Sequence, residues 1–257
     1  MAKSHKIFLI ICILPLLSAC RSSRAMQKEI HALKSGLYYE LTSPTYLGEA
    51  KQTVYLNFID YSNMDYYTRV KRKRYTLVPL LLYNYSGELF RIQLGEHSLT
   101  QLYREFLTEA LLTECNSSTC FHLIDNQKEK SVPDSAYRLE VKIRTNETSA
   151  GVKLNNSSFF WFDGETMEVI SNKTRPARSR LAISIRLTQG EDCLLDKTYS
   201  VDRQQTAKGQ KYEDSYGANA ACLDEMTECL SMVTKEIVEE ISQEIHLVLS
   251  LPPQNKP

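Results

Sequence analysis

The sequence lacks several features that would assign it to a familiar class. It has only 9 Gly, 8 Pro and 1 Trp in 257 residues, which excludes a collagen-like or low-complexity chain. It has no surplus of basic residues, because 31 Lys and Arg balance 31 Asp and Glu, so nucleic acid is not expected as the main partner. The charged fraction of 24% and the hydrophobic fraction of 42% are typical of a globular domain.

Signatures of catalysis and of metal binding are also missing from the sequence. It contains no P-loop, no G-x-G-x-x-G, no H-E-x-x-H and no G-x-S-x-G. The four histidines that follow the N-terminal apolar segment, His31, His97, His122 and His246, share no ligand spacing, and CxxC is absent. We therefore predict a protein that is not an enzyme, has no catalytic residues and needs neither a metal nor a cofactor.

The N-terminus carries the most specific signal. Lys3 and Lys6 precede an apolar run over residues 7–17, which is too short to span a bilayer as a helix. A basic start, a short apolar core and small residues before a cut site predict a secretory signal peptide over residues 1–19. Its end, Leu17-Ser18-Ala19-Cys20, resembles the bacterial lipobox, in which the Cys becomes the lipidated first residue of the mature chain. The alternative is an ordinary signal peptide followed by a chance cysteine.

Acylation of Cys20 predicts a membrane-anchored lipoprotein. Each buried methylene contributes about 0.8 kcal/mol, and several acyl chains such as palmitate together give stable anchoring. The residue after the cysteine is Arg21 rather than Asp, which by analogy with proteobacterial sorting favours the outer membrane, with the domain facing the periplasm. Because residues 21–35 are polar, we interpret residues 20–35 as the lipidated cysteine and a tether.

The rest of the chain predicts one α+β domain over residues 36–250 and a disordered tail over 251–257. Alternating apolar and polar residues predict strands, among them 52–59, 136–144, 181–187 and 195–201. Helical spacing marks residues 98–112 and 219–248. The second helix is predicted to have a buried seam of Leu223, Met226, Leu230, Val233, Ile237 and Ile241. Strands and helices in this order favour a mostly antiparallel sheet packed by two main helices.

Three local predictions concern the middle of the chain. Residues 60–74 are polar and rich in Tyr, which predicts a loop. Ser86-Gly87 between two apolar segments predicts the turn of a β-hairpin. Ser98 and Gln101 fit a capping box at the start of the first helix, whose apolar stripe includes Leu102.

A basic run is the first candidate contact surface. It places five cations within six residues: Arg69, Lys71, Arg72, Lys73 and Arg74. Such a run can contact anionic lipid headgroups, at about 1 kcal/mol per residue. The alternative is a solvated loop beside a sheet edge, where basic side chains also discourage aggregation.

The aromatic run Phe159, Phe160, Trp161 and Phe162 is the second candidate. In a strand, alternate residues point to opposite faces, so both faces of this segment would be aromatic. One face can enter the core, whereas the other needs a lipid, a partner or a second layer. The alternative is a strand that is buried on both faces.

The cysteines suit an oxidising compartment. Cys115 and Cys120 flank four polar residues and can close a small disulfide loop. Cys222 and Cys229 lie on the predicted last helix, about 10.5 Å apart along its axis, which is too far for a disulfide.

The arrangement resembles the ABC-type transport auxiliary lipoproteins, the family that includes paraquat-inducible protein C. The likeness begins at the lipobox and at residues 38–44 (YYELTSP), which resemble the opening tyrosine strand of that family. It continues through the Leu77–Leu94 hairpin into the first predicted helix, where Tyr103 is the aromatic residue nearest to the usual Trp. It extends to residues 137–141 (YRLEV) and the final helix.

The resemblance implies a fold similar to the N-terminal domain of TolB. It implies a non-enzymatic lipoprotein subunit of an envelope ABC (MCE-type) lipid transport system, docking or extending the assembly at the outer membrane. Its partners would be the membrane, through acylated Cys20, and MCE-type or other ABC transport components, with a homo-oligomer left open. The alternative is a periplasmic lipoprotein regulator of cell-envelope enzymes, such as a peptidoglycan synthase activator, on a similar fold.

Overall fold

Two long strands form the centre of the structure, which is a computed structural model. The structure describes residues 28–41, 52–61, 64, 67–77, 82–118, 121–126, 132–160, 166–206 and 210–250. The predicted signal peptide, Cys20 and the predicted tail 251–257 lie outside these residues. In chain order, the elements are α1 (residues 28–32), β1 (Gln52–Asp60), β2 (Tyr67–Leu77), β3 (Leu82–Gln93), a 3-10 turn (Glu96–Ser98), α2 (Tyr103–Ser118), β4 (Phe121–Asp125), β5 (Tyr137–Phe160), β6 (Thr166–Gln189), β7 (Asp192–Gln204), β8 (Lys211–Tyr212) and α3 (Ser215–Ser250).

All eight strands belong to one sheet, which is built around the β5–β6 hairpin. We call the half of the sheet where β5 ends and β6 begins the closed-end half. There, β3 pairs with β5, β8 pairs with β6, and β2 pairs with the other edge of β3. The open-end half is the opposite half, where β5 begins and β6 ends. There, β1 pairs with β5, β7 pairs with β6, and β4 pairs with the other edge of β1. The hairpin therefore carries two groups of strands, one at each end.

The predicted α+β class and single domain are confirmed, but the sheet is mixed rather than antiparallel. β1 runs parallel to both β4 and β5, whereas the other strand pairs among the described residues are antiparallel. Parallel neighbours need a crossover connection. The chain makes one here, because it passes through β2, β3 and α2 between β1 and β4.

The main core lies between one face of the sheet and the two longer helices. α3 packs on β5, β6 and β7, and α2 packs on β4 and α3. The predicted α3 seam is buried at every position: Leu223, Met226, Leu230, Val233, Ile237 and Ile241. The hydroxyl groups of Tyr103 in α2 and Thr234 in α3 lie 2.9 Å apart, which joins the helices by a buried hydrogen bond.

Residues 28–41 form a strap across the helices, although residues up to 35 were predicted to be tether. Ile30 in α1 is only 2% exposed. Ser35 makes a bridge to Leu99, and its hydroxyl group donates to Asp224 at 2.9 Å. The amide of Tyr38 donates to the Ser231 hydroxyl at 3.1 Å. Residues 28–35 are therefore packed on the domain, because burial of Ile30 and these polar contacts hold them there.

The predicted hairpin turn at Ser86-Gly87 is wrong, since both residues lie in the middle of β3. The hydroxyl of Tyr85 lies 2.8 Å from the point that a Cβ at Gly87 would occupy. The glycine leaves room for this hydroxyl, which donates to the Asn155 side chain at 2.8 Å, and it does not turn the chain. The predicted loop at 60–74 is also wrong in its second half, because β2 begins at Tyr67.

The first long helix starts later than predicted, at Tyr103. Ser98 lies instead in the buried 3-10 turn. The backbone N–H of Tyr103 points to both carboxylate oxygens of Glu96, each at 3.3 Å, and this carboxylate takes the place of the predicted capping box. Leu102 consequently precedes the helix and is 47% exposed, so its assignment to the buried stripe is wrong.

Candidate functional site

The predicted basic run lies in β2, where alternate residues face opposite sides of the sheet. Arg72 lies on the same side as the helices and pairs with the buried carboxylate of Glu88 at 3.2 Å. Arg69, Lys71 and Lys73 lie on the side turned away from the helices and are exposed. The run is therefore divided between two faces; the side chain of Arg74 lies outside what the structure describes.

Strand pairing brings five further cations, distant in the sequence, to the same side of the sheet as Arg69, Lys71 and Lys73. Residues directly opposite each other in an antiparallel pair share one face. Arg69 pairs with Arg91, Arg91 with Gly151, and Gly151 with Arg175. The next row runs from Lys71 through Leu89, Lys153 and Lys173 to Lys211. We name the eight exposed cations of this closed-end half the basic face: Arg69, Lys71, Lys73, Arg91, Lys153, Lys173, Arg175 and Lys211.

The basic face has no acidic residue among its rows. The third row consists of Lys73, Gly87, Asn155 and Ser171. In the described part of the chain, the ion pairs lie elsewhere, and none of the eight cations takes part in one. Five strands at a spacing of about 4.8 Å and three rows at a spacing of about 6.8 Å place these charges within an area of about 19 Å by 14 Å. Neighbouring charges thus lie within a Debye length of about 8–10 Å and reinforce each other's field.

On the side of the sheet turned away from the helices, the two halves differ in the charges that lie opposite each other. In the open-end half, Glu140 lies opposite Arg186, and Glu147 lies opposite Arg180, which also pairs with Asp202. These are opposite charges, which stabilise a sheet. In the closed-end half, Arg69 lies opposite Arg91, and Lys153 lies opposite Lys173, which in turn lies opposite Lys211. Like charges in these positions destabilise the sheet, so stability of the sheet does not explain the basic face.

Gly151 shapes the middle of the basic face. A Cβ at this position would lie 3.0 Å from the carbonyl oxygen of Phe90 and 3.5 Å from the Cβ and Cδ atoms of Arg175. The missing side chain lets Arg175 lie close to the backbone of β5. Beside it, Arg69, Lys71, Leu89 and Arg91 line a small depression. No side chain therefore projects from position 151 in the middle of the basic face.

The end of the β5–β6 hairpin adds apolar groups beside the cations. Phe159 and Phe160 are the last residues of β5, as predicted for a strand, but their side chains lie outside what the structure describes, as do Trp161 and Phe162 altogether. Met167 is 57% exposed and Val169 is 43% exposed. Both occupy the same face of β6 as Lys173 and Arg175, since they lie an even number of residues away.

The described cysteines form no catalytic cluster. Burial raises the pKa of the Cys115 thiol to about 12, and it raises the pKa of the buried Cys222 and Cys229 thiols as well. Thiols with a raised pKa are poor nucleophiles. Cys120 lies outside the described residues, so its pairing with Cys115 stays a prediction. The described residues contain no group of three His, Cys, Asp or Glu side chains suited to a metal ion.

Glu96 and His97 form a polar cluster beside the strap. The Glu96 carboxylate accepts from the Tyr103 amide and from the Tyr61 hydroxyl. Burial, and to a smaller extent the charge of Glu105, raises its pKa. The His97 ring stacks on the ring of His31 with centroids 4.6 Å apart. Burial and then the His31 charge lower the pKa of His97. The cluster joins α1 to the 3-10 turn, and its contacts suit a structural junction.

Comparison with known proteins gives only a distant likeness. No family model and no curated protein matches the sequence. Among solved structures, the chain is similar to protein XCC0632 from Xanthomonas campestris, a DUF330 protein. That alignment has a TM-score of 0.41 and 14% sequence identity, and it covers 83% of this chain and 98% of the other. A likeness at this level supports no statement about function. None of the described helices is long and apolar enough to cross a membrane.

Sequence patterns identified three residues of the basic face and missed five. Arg91, Lys153, Lys173, Arg175 and Lys211 are isolated cations in the sequence, and only strand register brings them to Arg69, Lys71 and Lys73. The signal available in the sequence was the two-residue spacing of Lys153 and Asn155 and of Lys173 and Arg175, which places polar residues on one face of a strand.

Proposed function

We propose that the protein is a non-enzymatic, membrane-anchored lipoprotein subunit of an envelope ABC (MCE-type) lipid transport system. In this role it docks or extends the assembly at the outer membrane. The observation that carries the proposal is the lipobox that ends at Cys20, followed by one α+β domain. The resemblance of residues 38–44, 137–141 and the final helix to the auxiliary lipoproteins supplies the transport assignment, and the TolB-like fold belongs to the same proposal.

The strap supports this proposal because it attaches the anchor side of the chain firmly to the domain. The hydroxyl of Tyr39 donates to the Glu114 carboxylate of α2 at 2.7 Å, and burial and this hydrogen bond raise the pKa of the tyrosine. Ser35 and Tyr38 bind α3. The described chain is therefore held to the helices from residue 28 onward.

Capture from membranes tests the proposal. The full-length protein with a C-terminal tag is cross-linked in cells, solubilised from the membrane fraction and purified, and the captured proteins are identified by mass spectrometry. We expect an MCE-domain protein, together with its ATPase and permease. The Cys20→Ser variant is the control, and we expect it to lose this capture because it is not anchored. Specific capture of a peptidoglycan synthase without MCE or ABC components would contradict the proposal and favour the envelope-enzyme regulator.

A further inference from the structure

We propose that the basic face binds the anionic surface of a lipid bilayer, so that the domain lies on the membrane with its sheet against the phosphate-bearing headgroups. The inference rests on the proposed function in one respect, namely anchoring through Cys20. The transport partner plays no part in it. The basic face carries eight exposed cations and no acidic residue in its three rows, and anionic headgroups are the complementary charge.

The distribution of charge over the whole domain orients it on such a surface. The mature chain carries 29 basic and 31 acidic residues, so the eight clustered cations leave an acidic surplus elsewhere. Much of this surplus lies in α3, on the opposite side of the sheet. That helix contains seven Asp and Glu residues and a single Lys. An anionic bilayer therefore attracts the basic face and repels the helix side.

The exposed apolar groups fit the same orientation. Met167 and Val169 share the face of Lys173 and Arg175 and lie nearer to the end of the hairpin. Apolar side chains next to a basic surface are typical of proteins that bind the interface of an anionic membrane. With the basic face on the headgroups, these two side chains point into the boundary between headgroups and acyl chains.

The position of the anchor is compatible with this contact. Glu29 in α1 accepts hydrogen bonds from Ser215 and Asn219 at the start of α3, each at 3.2 Å. β8 ends three residues before Ser215, and it places Lys211 at the edge of the basic face. The eight residues from Cys20 to residue 28 reach at most about 29 Å when fully extended. The acyl chains and the basic face can therefore engage the same bilayer.

Vesicle binding by a chain without acyl groups tests the proposal. The chain of residues 20–257 with Cys20→Ser contains every described residue. It is mixed with vesicles of phosphatidylcholine alone, and with vesicles of an equimolar mixture of phosphatidylcholine and phosphatidylglycerol. We expect binding to the mixed vesicles only, and weaker binding at high salt because exposed charges are screened.

A matched pair of double variants locates the contact. Lys153→Glu with Lys173→Glu reverses two charges on the basic face, and Lys34→Glu with Arg104→Glu reverses two exposed charges on the helix side. A cation at such a surface contributes about fivefold in binding, so we expect the first pair to weaken binding about 30-fold or more. The second pair should bind like the parent chain. Lys153→Arg with Lys173→Arg should also keep binding, because the charge is unchanged.

Three outcomes would overturn the proposal. The first is equal binding to both kinds of vesicle, and the second is an equal loss in both double variants whose thermal melts match the parent. The third is retention on an acidic polysaccharide column, sensitive to Lys153 and Lys173, without any vesicle binding, which would assign the face to a soluble polyanion. Membrane capture of an MCE-domain protein is measured separately, so failure here leaves the proposed transport role intact.

Discussion

Two leucines that look alike in the sequence have different surroundings in the structure. Leu102 is 47% exposed before α2, whereas Leu230 is fully buried in α3. We predict that Leu102→Asp changes the free energy of unfolding by no more than about 0.5 kcal/mol, as is usual for surface substitutions. Leu230→Asp places a charge in the core without a partner and should unfold the domain. Thermal melts of the two variants decide this, and equal midpoints would contradict the packing of α3.

The His97 imidazole makes stability depend on pH. Its pKa is lowered from 6.5 in the folded domain, so the unfolded chain takes up the proton first as the pH falls. The stabilisation by neutral His97 is therefore fully present above about pH 6.5 and is lost as the pH falls toward the lowered pKa. The raised pKa of Glu96 acts in the opposite sense, since it favours the folded state at lower pH and this contribution is lost as the pH rises through that pKa.

We predict that, as the pH falls below about 6.5, wild-type protein loses stability more steeply than His97→Gln, whose side chain does not titrate. Urea unfolding midpoints at several pH values measure this slope. His246→Gln is a suitable control because His246 lies at the far end of α3. Parallel curves for wild type and His97→Gln would show that the ring does not couple to folding.

At the residue scale, the sequence predicted which residues are buried better than it predicted local backbone geometry. The α3 seam repeats at helical spacing over many turns, so its identification did not depend on any single residue. In contrast, the interpretation of Gly87 depended on one dipeptide. A glycine that receives the side chain of Tyr85 looks the same in the sequence as a glycine that turns the chain. Leu102 failed for a related reason, because one carboxylate, Glu96, moves the start of the helix.

Among the elements, the strap has one fully buried aliphatic side chain, while Leu33 and Leu37 are partly buried against the core. Ile30 is 2% exposed and belongs to the main core. We predict that Ile30→Ala lowers the free energy of unfolding by about 2–4 kcal/mol through lost burial and the cavity that it leaves. Lys34→Ala, at an exposed position of the same strap, should change it by less than about 0.5 kcal/mol. Denaturant unfolding measures both, and a wild-type midpoint for Ile30→Ala would mean that residues 28–35 are a tether, as the sequence predicts.

The two halves of β5 were not equally visible in the sequence. From Leu139 to Arg144, apolar and charged residues alternate, and a strand was predicted there. From Asn155 to Ser158, every side chain is polar, so there is no alternation to detect, yet the strand continues to Phe160. The pairing of this segment with both β3 and β6 satisfies its backbone groups, and tertiary context therefore overrides composition.

The basic face could not have been predicted as a unit. Its cations come from five strands, and the sequence distance between Lys71 and Lys211 is bridged only by the pairing of β2, β3, β5, β6 and β8. A shift of register by one residue in any of these strands would move its cations to the helix side. Register is a property of the assembled sheet, so a single sequence does not show it.

For the whole molecule, the first prediction concerns its attachment. The lipobox that ends at Cys20 carries the anchoring hypothesis. We predict that Cys20→Ser abolishes labelling by radioactive palmitate and moves the protein out of the membrane fraction after a high-salt wash. The wash matters because it releases molecules held by the basic face alone. Label and fractionation that both remain unchanged in the variant would contradict acylation at Cys20.

The contact between the strap and α3 also sets the order in which the domain can fold. The polar contacts of Ser35 and Tyr38 join residues 189 to 193 positions apart, and Tyr103 reaches Thr234 across 131 positions. When the chain is synthesised from its N-terminus, Ile30 is therefore made almost two hundred residues before α3 is available to cover it. Contacts of this range form late. The core is complete only when α3 is present, so the strap has no helix to cover it until the C-terminal part of the chain has been made.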